Sequence, residues 1–192
     1  MTVGKGKRPR DPNQLAKWIA MKSILTGLLA VSLVGGANVL AMAAVNDFKA
    51  LFAKHWQISK EFTLAVAEAM PAEYYNFKPN PEEMSFGEMM SHLAQSNSEA
   101  FASVGDVEPL PVPPGYDKKT VMKFLNDSFD WCAKQFAVMT PTQFDRMLNI
   151  GEGRQATGIE VLCWAFTDTA HHRGQAEVYM RVKGIKPPHY RF

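Results

Sequence analysis

Cysteine is scarce in this chain of 192 residues, with Cys132 and Cys163 the only two. Their spacing fits neither a zinc motif nor a thioredoxin-type pair, which argues against a cysteine-built metal or redox centre. Net charge is also small, +2, and six of the cations (Lys5, Lys7, Arg8, Arg10, Lys17, Lys22) stand against the single acid Asp11 in the first 22 residues. The remainder is near neutral to mildly acidic, so no electrostatic footprint for nucleic acid is present. A Gly-rich phosphate loop, a Gly-x-Ser-x-Gly elbow and a basic-aromatic stripe are missing as well. Gly151-Glu152-Gly153-Arg154 looks loop-like but follows no expected strand. Strand signals are nearly absent, and no internal repeat occurs.

What the chain does have is apolar content, at 46%, enough for the core of one domain carrying an appendage. The appendage is residues 1–44. Its basic segment precedes the mostly apolar run Ile24–Leu40, and Ala41-Met42-Ala43 fits a small-residue cleavage site. That order describes a secretory signal peptide. The central Gly35-Gly36 pair and Asn38 inside the run make it a poor membrane-spanning helix. An uncleaved inner-membrane anchor over residues 24–44 is the alternative, and a buried core helix a third. The leader before Met21 is unusually long, and Met21-Lys22 would itself serve as a start. Twin arginines and a lipid-attachment cysteine are not found. The expected location is therefore exported, periplasmic or extracellular.

Residues 45–192 read as helices. From Asn46 to Met70, Phe48, Leu51, Phe52, Phe62, Val66 and Ala69 recur at helical spacing, and Pro71 stops the run. Ser85 and Glu88 make a capping box that opens a second helix reaching about Val104. The Pro-rich stretch Gly105–Gly115 is a loop. Asp117 or Thr120 begins a third helix, and Thr140-Pro141 marks its end. Thr157 and Glu160 form another capping box, starting a last helix that runs to Lys183 before Gly184. Four long helices with a Pro-rich crossover predict an all-α, four-helix bundle. The abundant Met residues are core filler.

Asp168 and His172 are four residues apart on the last helix, so they share a face with Val161, Ala165, Ala176 and Tyr179. A half-buried carboxylate and imidazole need partners, and a divalent cation would satisfy both. A plain ion pair would do so too. His92, flanked by Met89 and Leu93, is the candidate third ligand from the second helix; a hydrogen-bonded core histidine is the other reading. Two imidazoles and a carboxylate suit zinc with an open position or non-heme iron, and nickel or manganese also fit. His171 faces elsewhere, either supporting the site or lying on the surface. His55, on the buried stripe of the first helix, is a candidate general base or fourth ligand, or a core histidine. Arg173 is a candidate for gripping a substrate carboxylate, or pairs with a neighbouring helix. Glu99 and Glu177 read as solvated. Cys132 and Cys163 are either a disulfide or two buried thiols.

His92-Leu93-Ala94, with the lead-in Pro81-Glu82-Glu83-Met84-Ser85-Phe86-Gly87-Glu88, together with His171-His172-Arg173-Gly174-Gln175, resembles the DinB family of DinB/YfiT-like metalloenzymes. The similarity spans about Asn46 to Pro188. It implies an up-down-down-up four-helix bundle that holds a divalent metal through three histidines. Two of these match His92 and His172, and the third falls on Asp168, where this sequence departs from the usual His. The resemblance also implies a choice of chemistries. Some relatives are bacillithiol- or mycothiol-dependent transferases, and one is a mycothiol-dependent maleylpyruvate isomerase. Many others have no known activity. Export argues against a cytosolic thiol and favours metal-activated water acting on a small substrate. The alternatives are a thiol S-transferase and a non-catalytic binding or stress-response module. Expected partners are a small molecule and a second copy as a homodimer, with no nucleic acid and the membrane touched only through the N-terminal segment.

Overall fold

Periodicity and capping together set the helices. The computed structural model describes residues 47–191, together with Asp11, Gln14, Lys17 and Val45. The basic leader and the signal or anchor expected over residues 1–44 otherwise lie outside the described residues. None of the described helices is long and apolar enough to cross a membrane.

Helix α1 covers residues 47–69. Phe52, Trp56, Ser59, Phe62, Thr63 and Val66 are buried at steps of three and four, as one face of a helix requires. Leu51, expected on that stripe, is instead 58% exposed. Pro71 ends the helix and introduces a short 3-10 turn, Ala72–Tyr74. Tyr75 then turns inward, its hydroxyl donating to Ala67 O at 2.8 Å, and burial pushes that phenol well above its ordinary pKa.

Helix α2, Phe86–Gly105, opens at the expected capping box of Ser85 and Glu88 and is the most buried of the helices. Helix α3, Lys118–Val138, is capped by Asp117, whose side chain accepts from Thr120 N. Thr140-Pro141 does more than end α3. It starts a five-residue helix, α4, Pro141–Asp145, with a capping box of its own between Thr140 and Gln143. Strands were not expected, yet β1, Met147–Asn149, pairs antiparallel with β2, Gln155–Thr157, with Leu148 opposite Ala156. Gly151-Glu152-Gly153-Arg154 therefore does follow a strand and forms the hairpin turn. Its residues Gly151, Glu152 and Gly153 have φ of 90°, 52° and 73°, a left-handed run that glycine makes affordable. Helix α5, Gly158–Val182, follows directly, capped by Thr157 with Glu160.

Helix α2 packs against both α3 and α5. Helix α1 is tied to α3 by Trp56 Nε1 donating to Phe129 O at 3.2 Å and by the Lys60–Asp130 ion pair. An aromatic cluster fills one part of the interior, with ring centroids 4.5 Å apart for Phe52 and Phe136 and 4.7 Å for Trp56 and Phe101. Such pairs add about 0.5–1.5 kcal/mol each beyond the area they bury. The cysteines fulfil neither expectation. Cys132 is buried and Cys163 exposed, and both are free thiols. Burial raises the Cys132 thiol far above its ordinary value, so it stays protonated and acts as a small apolar side chain.

Two predictions follow from capping and close approach. A Cβ added at Gly158 would lie 2.2 Å from Gln143 O, a backbone atom held by α4. Helix propensity alone favours Ala over Gly by about 1 kcal/mol. The clash should win, and Gly158→Ala is expected to lower stability by about 1–3 kcal/mol in urea unfolding; an unchanged or raised midpoint would show that the α4–α5 junction relaxes freely. Glu88 accepts from Ser85 N at 2.6 Å, and that bond, followed by the one to the Ser85 hydroxyl, holds its carboxyl below the ordinary value. A lowered folded pKa stabilises above the unfolded value of about 4.3, and this is lost as pH falls through the folded pKa. Urea midpoints of the native chain and Glu88→Gln should thus differ at neutral pH and converge in acid.

Candidate metal centre

The centre of α5 carries the residues singled out by the sequence. Asp168 and His172 lie one turn apart between buried Val161, Ala165, Ala176 and Tyr179, so the expected half-buried face is present. Their side chains are 16% and 12% exposed, and Asp168 Oδ1 stands 3.5 Å from His172 Nε2. That is longer than the roughly 2.7–3.2 Å of an N–H···O hydrogen bond. It matches the spacing of two ligands on one tetrahedral ion, about 3.4 Å for bonds of ~2.1 Å. On its other side, His172 Nδ1 meets Gln175 Oε1 at 2.9 Å. With that oxygen accepting, Nδ1 carries the hydrogen and Nε2 turns its lone pair toward Asp168. A lone pair facing a carboxylate oxygen calls for a proton or a cation between them. Asp168 Oδ2 is buried and has no hydrogen-bond partner, a deficit worth about 1–3 kcal/mol when nothing fills it.

His92 joins the pair from α2. Its ring stands perpendicular to that of His172, with centroids 5.0 Å apart, and its Nε2 lies 3.4 Å from Ser96 Oγ. It does not sit inside the core, as a residue flanked by Met89 and Leu93 was expected to; it is exposed at the rim. Met89, Met90, Ser91 and Leu93 around it are buried, at 1%, 0%, 2% and 0%, and His92 alone among these positions is exposed. The three candidate ligands therefore gather in one place. Among the described residues, however, no group of three or more His, Cys, Asp or Glu side chains is placed to hold a metal ion.

Helix register is what brings them together. Thr169 Oγ1, on α5, donates to Asn97 Oδ1, on α2, at 2.9 Å in a fully buried contact. On the opposite side of α2, Ser128 Oγ of α3 donates to Ala94 O at 2.7 Å. Neither polar contact was foreseen, because partners 72 and 34 residues apart leave no local pattern. Gln175 and Ser96 were also missed as orienting groups, although spacings of three and four residues from the histidines are the signal that would have found them.

The other candidates scatter. His171 is exposed, its ring centroid 5.1 Å from that of His172. His55 is half-buried and lines a cavity that none of His92, Asp168 and His172 lines. Arg173 lines that same cavity, and its Nη1 donates to Ser59 Oγ at 3.1 Å and Thr63 Oγ1 at 3.4 Å on α1. Its guanidinium carbon lies 4.5 Å from the Phe62 ring centroid. Glu99 is exposed, as expected, whereas Glu177, expected to be solvated, is half-buried and pairs with Arg181.

Comparison with known proteins places this arrangement. The sequence model of the DinB superfamily matches residues 55–176, which include His55, His92, Asp168, His171, His172 and Arg173. The chain belongs to the DinB superfamily. Bacillus subtilis (strain 168) YjoA, described as uncharacterized, is 27% identical over 151 residues, covering 74% of this chain and 93% of YjoA. The crystal structure of that DinB-like protein aligns with a TM-score of 0.63 at 22% identity, over 73% of this chain and 97% of YjoA. A DinB-like protein from Bacillus cereus ATCC 10987 aligns with a TM-score of 0.60 at 20% identity, over 73% and 95%. These likenesses establish the DinB-like helical fold.

The register contact is open to test. Thr169→Val keeps the shape of the side chain but leaves the buried Asn97 carbonyl unpaired, beside an Asn97 Nδ2 that already lacks a partner. A loss of about 1–3 kcal/mol in urea unfolding is expected; a neutral result would mean that apolar packing alone sets the α2–α5 register.

Proposed function

We propose that this DinB-superfamily chain holds one divalent cation between His92, Asp168 and His172 and catalyses a hydrolase-type reaction on a small substrate. The observation that carries the reading is the 3.5 Å separation of His172 Nε2 and Asp168 Oδ1, combined with the unpartnered Asp168 Oδ2. One nitrogen and one oxygen already stand at ligand spacing, and the second imidazole is adjacent. The two-histidine, one-carboxylate donor set fits zinc, iron, nickel or manganese, with Asp168 making the site harder and more anionic than a three-histidine one. When bound, such a cation supplies Lewis acidity toward a water in an open coordination position.

The chain's own residues do the rest. Gln175 fixes the tautomer and ring plane of His172, and Ser96 stands beside His92. The exposure of His92 leaves the site reachable from solvent, and His171 stands at its edge to receive or deliver a proton. In this reading the four long helices form the up-down-down-up bundle of the family, and the leader of residues 1–44 delivers the domain beyond the inner membrane.

Metal content decides the matter. Purified chain reconstituted with each of the four metals should bind about one equivalent of at least one of them, and His172→Ala or Asp168→Asn should abolish that loading. Gln175→Leu leaves all three ligands and should weaken affinity about 10–100-fold. Less than a tenth of an equivalent for all four metals overturns the proposal and leaves a non-catalytic DinB-fold module. Ester and amide turnover by the loaded protein that needs added low-molecular-weight thiol would instead assign the thiol S-transferase chemistry.

A further inference from the structure

Arg173 follows His172 directly, so it projects about 100° further round α5 and serves a different space. That space is a cavity of about 440 Å³ between α1, α5 and the C-terminal segment, within the ~300–1,000 Å³ range of small-molecule sites. Phe48, Phe52, Ile58 and Phe166 supply apolar wall, and Arg173 and Arg191 are its cations. No Asp or Glu lines it among the described residues. Arg191 is already paired, 3.5 Å from Glu61. Arg173 is not. It is only 8% exposed, yet no carboxylate lies within ion-pair distance of it among the described residues. Glu177, whose carboxylate favours the Arg173 charge from beyond ion-pair distance, is shared with Arg181.

A guanidinium remains charged at any physiological pH, and burying it without a counter-anion is costly. Two hydroxyls and an aromatic face, Ser59, Thr63 and Phe62, hold its position without neutralising it. Only Nη1 finds protein acceptors, so Nε and Nη2, the edge suited to a bidentate grip, are left for a ligand. We propose that this cavity binds a small amphipathic carboxylate, its head on Arg173 and its apolar chain along the wall formed by Phe48, Phe52, Ile58 and Phe166. The planar fork of one arginine matches a carboxylate, and the apolar walls reject a ligand that is polar throughout. The cavity shares no lining residue with His92, Asp168 or His172, so the inference stands whether or not the chain binds a metal.

The test is calorimetry on the full chain with decanoate and decanol, in the presence of EDTA so that no cation takes part. Decanoate should bind at least about tenfold more tightly than decanol, which corresponds to about 1.4 kcal/mol. Arg173→Met should erase that preference, and Arg173→Lys should keep part of it. Ala170 is exposed and lines the cavity, so Ala170→Trp should block both ligands while leaving Arg173 in place. This variant also carries the test if Arg173→Met does not fold. Equal affinity for decanoate and decanol, no binding of either, or undiminished decanoate binding by Ala170→Trp would each overturn the proposal.

Discussion

The buried hydrogen bond from Thr169 to Asn97 is the contact on which the candidate centre depends. It locks α5 against α2 at one register. A slip of either helix by one residue would turn it by about 100° and separate His172 from His92. Helix α2 is held on its other flank by Ser128 donating to Ala94 O, so it forms a fixed rail between α3 and α5. Polar contacts suit this task because, unlike apolar packing, they are satisfied in only one alignment.

From that register, α5 divides its work between two faces. The face carrying Asp168, His172 and Gln175 looks toward α2 and gathers donors of negative or neutral character. The face carrying Arg173 looks toward α1 and presents a positive charge to an apolar cavity. Adjacent residues of one short motif, His172 and Arg173, thus serve opposite electrostatic purposes. One face also contains a buried polar atom without a partner, Asp168 Oδ2, and on the other only Nη1 of Arg173 finds protein acceptors. Native proteins leave few such groups, and those that persist concentrate where something else binds.

Local chemistry made much of the fold readable. The capping boxes at Ser85–Glu88 and Thr157–Glu160 start helices where a reading of the sequence places them, because the partners lie within four residues of each other. Apolar periodicity placed Phe52, Phe62 and Val66 in the core, and it failed at Leu51, whose side of α1 borders the open cavity. The β-hairpin escaped notice because three-residue strands are too short for alternation to register, and α4 because a proline that stops one helix is equally suited to begin the next.

The sequence by itself determined the four long helices, their caps, the placement of Asp168 and His172 one turn apart, and membership of the DinB superfamily, since each rests on short-range spacing or on motif residues. Only the tertiary structure decided that His92 stands at a rim rather than in the core, that His55 and Arg173 belong to a separate cavity, and that Cys132 and Cys163 stay apart. Those outcomes depend on how far each helix is rotated about its own axis when it packs. That rotation is set by contacts such as Thr169 with Asn97, 72 residues apart, which no local pattern encodes.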